Sequence, residues 1–230
     1  RMAHRLTEGL ASLGSCHQAA ALSKNVHVEG RIKMQNESVF HHVDTLHEAI
    51  RRHRQVAFRY VKHDGNKRPQ PQGGGRIYCE TPVCLIYSEG CYYLIAYQDE
   101  KDPANIRNYR VDRMSYVKVL DRPRRGKEAF AAFDLPSYLR KHFNMFGGPE
   151  YRVTLRCTAD LEAAMRDRFG QDTLFLPEAD GYFHFDVPVC VSDQFYGWVC
   201  GFGGKVEITS PAEVRQGLHD MVQELAEQHN

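Results

Sequence analysis

Two apolar runs, Val83-Cys84-Leu85-Ile86-Tyr87 and Tyr92-Tyr93-Leu94-Ile95-Ala96-Tyr97, flank the short polar segment Ser88-Glu89-Gly90. Runs of this length, rich in β-branched and aromatic side chains and parted by a turn ending in glycine, form an antiparallel hairpin. A lone hairpin is marginal in water, so other strands must cover it. Upstream, Val56, Phe58 and Tyr60 alternate with Ala57 and Arg59 before the turn-like His63-Asp64-Gly65-Asn66. Downstream, Tyr116-Val117-Lys118-Val119-Leu120 supplies a further strand. Several short strands within about seventy residues predict a small closed or nearly closed β barrel.

Helical patterns precede these strands. Residues 6–21 are rich in Leu and Ala, with Leu6, Leu10 and Leu13 on one face, and Val39, Val43, Leu46 and Ile50 form a second stripe. Neither stripe completes a core, so both predict connecting helices. A chain opening in such a pattern at Arg1 reads as a fragment lacking its N-terminal part. Beyond the strands, Arg122-Pro123-Arg124-Arg125-Gly126-Lys127 opens a basic, irregular linker carrying one short helix. It reads as a solvated connector, with phosphate contact as the alternative. After Pro149 come a strand at 151–157, a helix with Leu161, Ala164, Met165, Arg168 and Phe169, a strand at 182–191 and a strand around Lys205-Val206-Glu207-Ile208. A last helix carries Val214, Leu218, Met221, Val222 and Leu225, and Ser210-Pro211-Ala212-Glu213 offers it a capping hydroxyl and Pro at the first helical position. Strands interleaved with helices in this order predict a ferredoxin-like α+β domain. The expected division is a helical connector at 1–48, a barrel at 49–122, a linker at 123–148 and an α+β domain at 149–230.

With 30 basic and 29 acidic side chains the net charge is +1, so no global field draws in nucleic acid and any anion site is local. Seven cysteines, an odd number with no Cys-x-x-Cys pair, suit reduced thiols and a cytoplasmic location. No run approaches the roughly eighteen apolar residues of a membrane span.

The local anion site is sought in Arg107, Arg110 and Arg113, which fall within seven residues after the hairpin. Guanidinium binds phosphate oxygens bidentately and stacks on π faces, so Tyr60, Arg76, Tyr78, Tyr93 and these arginines compose a surface suited to single-stranded nucleic acid or a nucleotide. The competing reading is structural: Asp112 lies between Arg110 and Arg113 and can pair with one of them. Strand parity also puts Arg107 and Arg110 on opposite faces unless a bulge intervenes. Enzymatic motifs are missing: there is no phosphate loop, no nucleophile elbow and no His-Glu-x-x-His, and Gly73-Gly74-Gly75 reads as a flexible loop. His41, Asp44, His47 and Glu48 share a helix face on which a zinc site is conceivable, but a solvated face explains them better. Cys157, Cys190 and Cys200 read as structural thiols and Trp198 as core or subunit interface. No enzyme activity, cofactor or metal is expected.

Tyr92-Tyr93-Leu94, Arg110-Val111-Asp112-Arg113 and the Pro-containing strand Thr81-Pro82-Val83-Cys84-Leu85-Ile86-Tyr87 occur in an order and spacing that resemble the WYL-domain family of bacterial transcription regulators. The first motif position is Tyr92 where the family name has Trp. Phe133-Asp134-Leu135, Phe143-Asn144-Met145-Phe146-Gly147-Gly148, Phe195-Tyr196-Gly197-Trp198 and Ile208-Thr209-Ser210-Pro211 are similar to the family's C-terminal extension. The resemblance implies an Sm-like (SH3-like) barrel that senses an effector, a ferredoxin-like extension that forms a homodimer, and promoter DNA bound by an N-terminal helix-turn-helix absent here. It maps Arg110 and Arg113 to the signature arginines, Tyr93 to the motif tyrosine and Tyr60 to the aromatic ending the first strand; Arg76 and Arg107 are looser matches.

Overall fold

The hairpin is the centre of the first of two sheets. In the computed structural model, residues 38–63, 69–98, 106–125 and 133–229 are described, all within Glu37–Asn230, one of the chain's two compact units. The helical pattern at 6–21, the turn residues Asp64-Gly65-Asn66 and the Gly126-Lys127 end of the basic run lie outside them. Strands β3 (Ile77–Ser88) and β4 (Cys91–Gln98) pair antiparallel from Glu80↔Gln98 to Ser88↔Cys91. Glu89 and Gly90 turn the chain with φ of 50° and 79°, the left-handed pair that matches the twist of the flanking strands.

β1 (Arg54–His63) pairs with β3 on one side and with β6 (Met114–Pro123) on the other, while β5 (Ile106–Arg110) pairs with β4 and β2 (Pro69–Pro71) with the end of β1. The order is β5-β4-β3-β1-β6, and no ladder joins β5 to β6 among the described residues, so the expected barrel does not close. The 3-10 turn Val111–Arg113 leads the chain from one edge strand to the other. The linker lies against β5 instead, where the Asn108 side chain donates to the Met145 carbonyl (2.9 Å).

α1 (Ser38–Arg51) covers this sheet with Val39, His42, Leu46 and Ala49. The expected stripe of Val39, Val43, Leu46 and Ile50 is half displaced, because the buried face runs through a histidine that hydropathy alone assigns to solvent. The 73–75 glycines form a 3-10 turn, with φ of 68° and 79° at Gly74 and Gly75, where a side chain would be strained.

The linker contains one short helix, α2 (Leu135–Lys141). Then follow β7 (Glu150–Thr158), α3 (Glu162–Phe169), β8 (Leu176–Pro177), β9 (Tyr182–Cys190), α4 (Asp193–Cys200), β10 (Val206–Ser210) and α5 (Ala212–Gln228). The second sheet is antiparallel with order β10-β7-β9-β8, so the chain is a mixed α+β protein with two antiparallel sheets and five described helices. Alternation sorts its residues: Val153, Leu155 and Cys157 on β7 and Phe183, Phe185, Val187 and Val189 on β9 point inward, where Met165, Phe169, Phe195, Val199 and Val214 complete the core. Trp198 packs with Phe143, Phe169 and Phe202, a core position.

Helix starts differ from expectation in one place. Ser192 caps α4, its hydroxyl accepting from the Phe195 N–H (3.4 Å). Ser210, however, belongs to β10, and the cap residue of α5 is Pro211, which has no side chain to bond with. Strand pairing has claimed the serine that the local pattern offered to the helix. No described helix is long and apolar enough to cross a membrane.

Candidate ligand site at the arginine turn

Phe58 and Tyr60, two apart on β1, share a face with Tyr78 of β3 and Tyr109 of β5. All six pairs of these rings have centroids 5.1 to 6.4 Å apart, mostly edge to face, the arrangement favoured by ring quadrupoles. Tyr109 is anchored from within: its hydroxyl donates to Glu80 Oε1 (2.9 Å), and that carboxylate is only 2% exposed. Burial first, and then the nearby carboxylate, push the Tyr109 phenol far above its ordinary range.

Tyr60 lies at the border of this cluster. Its ring, with Tyr78, Arg107, Asn108, Tyr138 and His142, lines a cleft of about 280 Å³. Its hydroxyl accepts the backbone N–H of Arg110 (3.0 Å). At the same edge the Arg76 guanidinium sits 4.5 Å from the Tyr78 ring centroid, a cation–π contact.

The two signature arginines have separate fates. Arg110 grips Asp112 with two bonds, Nε to Oδ1 (3.1 Å) and Nη2 to Oδ2 (2.8 Å), which hold its guanidinium firmly protonated. Of the two arginines that could pair with Asp112, the structural reading therefore applies to Arg110. Arg113 is half-buried, and among the described residues it makes no hydrogen bond or ion pair. It lies close enough to the Tyr60 and Tyr93 phenols to oppose the upward shift that burial gives both. Tyr93, opposite Arg110 in the ladder, is buried against Ile95 and Met145, so its ring is a wall of the site and not an exposed stacking face.

The structure thus brings Tyr60, Tyr93, Arg110 and Arg113 together around one turn, and puts Arg107 in the adjoining cleft and Arg76 over Tyr78. β5 itself remains regular; the 3-10 turn carries Arg113 round the corner. Sequence reasoning missed Asn108, Tyr138 and His142. Tyr138 donates to Asn108 Oδ1 (2.8 Å), the His142 Nδ1 meets the Tyr138 carbonyl (2.7 Å), and Arg168 donates to the His142 carbonyl (3.0 Å), a chain joining β5 through the linker to the second sheet's helix α3. Asn108 stands two residues before the Arg110–Arg113 motif, but nothing in its neighbours marks α2 as the segment that folds back over it.

Other candidates have duller environments. Burial raises the Cys157 thiol to about 12 and the Cys84 thiol to about 11, far from nucleophilic. Cys200 is exposed. Glu48 is engaged by Arg51 (2.8 Å), and no three His, Cys, Asp or Glu side chains converge on a metal position among the described residues.

The chain matches the WYL domain over residues 41–119 and the WCX domain over residues 149–226. It contains a WYL domain followed by a WCX domain. The WYL match contains the ring cluster and the arginine turn, and the WCX match contains the second sheet. Among solved structures, the chain is similar to proteasome accessory factor B/C (PafBC) of Arthrobacter aurescens, at 22% identity over 81% of this chain and 27% of that one, with a TM-score of 0.39. It is also similar to a protein described as CRISPR Cas-related, at 15% identity over 84% of this chain and 53% of that one, with a TM-score of 0.47. The chain spans about a quarter and about half of the lengths of these two chains. No curated protein matches.

Proposed function

We propose that this chain is the sensing portion of a cytoplasmic transcription regulator, in which the WYL domain, an open sheet of Sm-like kind in this reading, binds single-stranded nucleic acid or a nucleotide-type ligand. The ligand controls promoter binding by a helix-turn-helix domain, and the ferredoxin-like WCX domain holds two copies together. The observation that carries this reading is Arg113: a half-buried guanidinium with no ion pair among the described residues, beside the Tyr60 hydroxyl and next to a ring-lined cleft. Arg107 and Arg76 supply further cations, and Tyr60 and Tyr78 supply π faces. The dimer part draws support from α5, where Val222 and Leu225 are 47% and 45% exposed.

Anisotropy titrations with labelled single-stranded DNA and RNA decamers over a salt series test the reading. Binding that weakens as salt rises is expected; flat curves at low salt for both oligomers and for nucleotides would overturn it. The alternative, a purely structural arginine cluster in a protein-interaction module, is favoured only at Arg110 by its bond to Asp112.

A further inference from the structure

The turn between β5 and β6 is held from a second side. Of the four residues that α1 buries, Val39, Leu46 and Ala49 are apolar, and His42 is not. α1 packs directly on the turn, with the ring of His42 (9% exposed) beside the Val111 backbone and its Nδ1 buried without a hydrogen-bond partner. A leucine would fill such a site without the cost of desolvating an imidazole. What the imidazole adds is a polar contact with the turn. From the sheet side the turn is fixed by the Tyr60 hydroxyl, which accepts the Arg110 N–H, and by the Arg110 fork on Asp112, with Val111 fully buried between sheet and helix.

We propose that His42 is the positioning residue of the arginine turn, holding Val111–Arg113 against α1 so that the aim of Arg113 and the seating of this helix depend on each other. α1 is the first described element in chain order, and its seating is what a ligand on Arg113 would change. The functional half of this inference rests on the ligand-site reading above; the structural half rests on the contact between His42 and Val111. Reciprocity requires that whatever loosens the turn from α1 also weakens the ligand, and that the ligand in turn tightens α1.

The experiment compares amide hydrogen exchange across the turn and α1 in the wild type, His42→Leu and His42→Gln, each with and without a labelled single-stranded DNA decamer. His42→Leu is expected to exchange about tenfold faster at residues 111–114 with β3 and β4 unchanged, and to bind the decamer at least fivefold more weakly. His42→Gln, whose amide still offers a donor to the Val111 carbonyl, is expected to recover most of both losses. Equal exchange at the turn in all three proteins overturns the proposal. Should His42→Leu not fold, His42→Met carries the same comparison with a more adaptable side chain. If the wild type binds no decamer, the ligand-site reading falls while the exchange comparison still decides the role of His42.

Discussion

The Tyr60 hydroxyl accepts a 3.0 Å hydrogen bond from the backbone N–H of Arg110, fifty residues later in the chain. A ring from the first strand thereby sets where the arginine turn begins. Removing only that oxygen separates the bond from the packing of the ring, since Tyr60 touches both Tyr78 and Tyr109. Tyr60→Phe should lose about 1 kcal/mol in chemical denaturation, the ordinary net value of such a bond. It should also speed exchange of the Arg110 amide, and an unchanged amide would place the anchor of the turn elsewhere.

Two histidines make stability depend on pH. Burial lowers the pKa of both His42 and His142 below the ordinary imidazole value, so the folded chain favours their neutral forms. The unfolded chain then binds more protons around its own pKa of about 6.5, and stability present above that pH is lost as pH falls below it. Denaturation midpoints should drop between pH 7 and pH 5, and less steeply in His42→Leu. A midpoint that rises over that interval would contradict the burial of these rings.

The adjacent glycines Gly147 and Gly148 should respond differently to alanine. A methyl group at Gly148 would overlap the Val191 carbonyl, which belongs to backbone already tied to Pro149 by the Val191 N–H, whereas one at Gly147 meets nothing within 4 Å. Gly148→Ala should destabilise by about 1–3 kcal/mol, the cost of overpacking. Gly147→Ala should stay within about 0.5 kcal/mol, and thermal melts of the two distinguish them.

Thiol reactivity follows burial. With Cys84 raised to about 11 and Cys157 to about 12, fewer than roughly one in a thousand of either is thiolate at pH 7, while Cys200 is exposed. Maleimide labelling of the native protein with peptide mapping should modify Cys200 well before Cys84 or Cys157. Equal labelling would mean that both sheets open readily.

The parts of this structure that repeat with a period were legible in the chain itself: the hairpin of β3 and β4, the alternation of β1, and β7 and β9. So was the association of rings with arginines, because Arg107, Arg110 and Arg113 are close in sequence. Contacts chosen by tertiary packing were not. Which arginine Asp112 would take depended on the 3-10 turn that swings Arg113 away. The burial of His42 depended on a partner backbone about seventy residues downstream. The contact of Tyr138 with Asn108 depended on a linker helix whose own residues give no sign of folding back over β5. Ser210 looked like a cap because a local pattern cannot show that the sheet extends through it.

In the proposed function Arg110 builds the site and Arg113 meets the ligand. The most direct measurement takes Arg110→Ala and Arg113→Ala through the same thermal melt and the same single-stranded DNA titration over salt. Arg110→Ala, which leaves the Asp112 carboxylate without its fork, should lower Tm by an amount worth about 1 kcal/mol, since the pair is only partly shielded from solvent. Arg113→Ala should keep its Tm while binding weakens about tenfold at low salt and the salt slope falls by about one. Oligonucleotide binding that survives Arg113→Ala, with Tm lowered instead, would contradict the account and leave the whole arginine turn a structural feature.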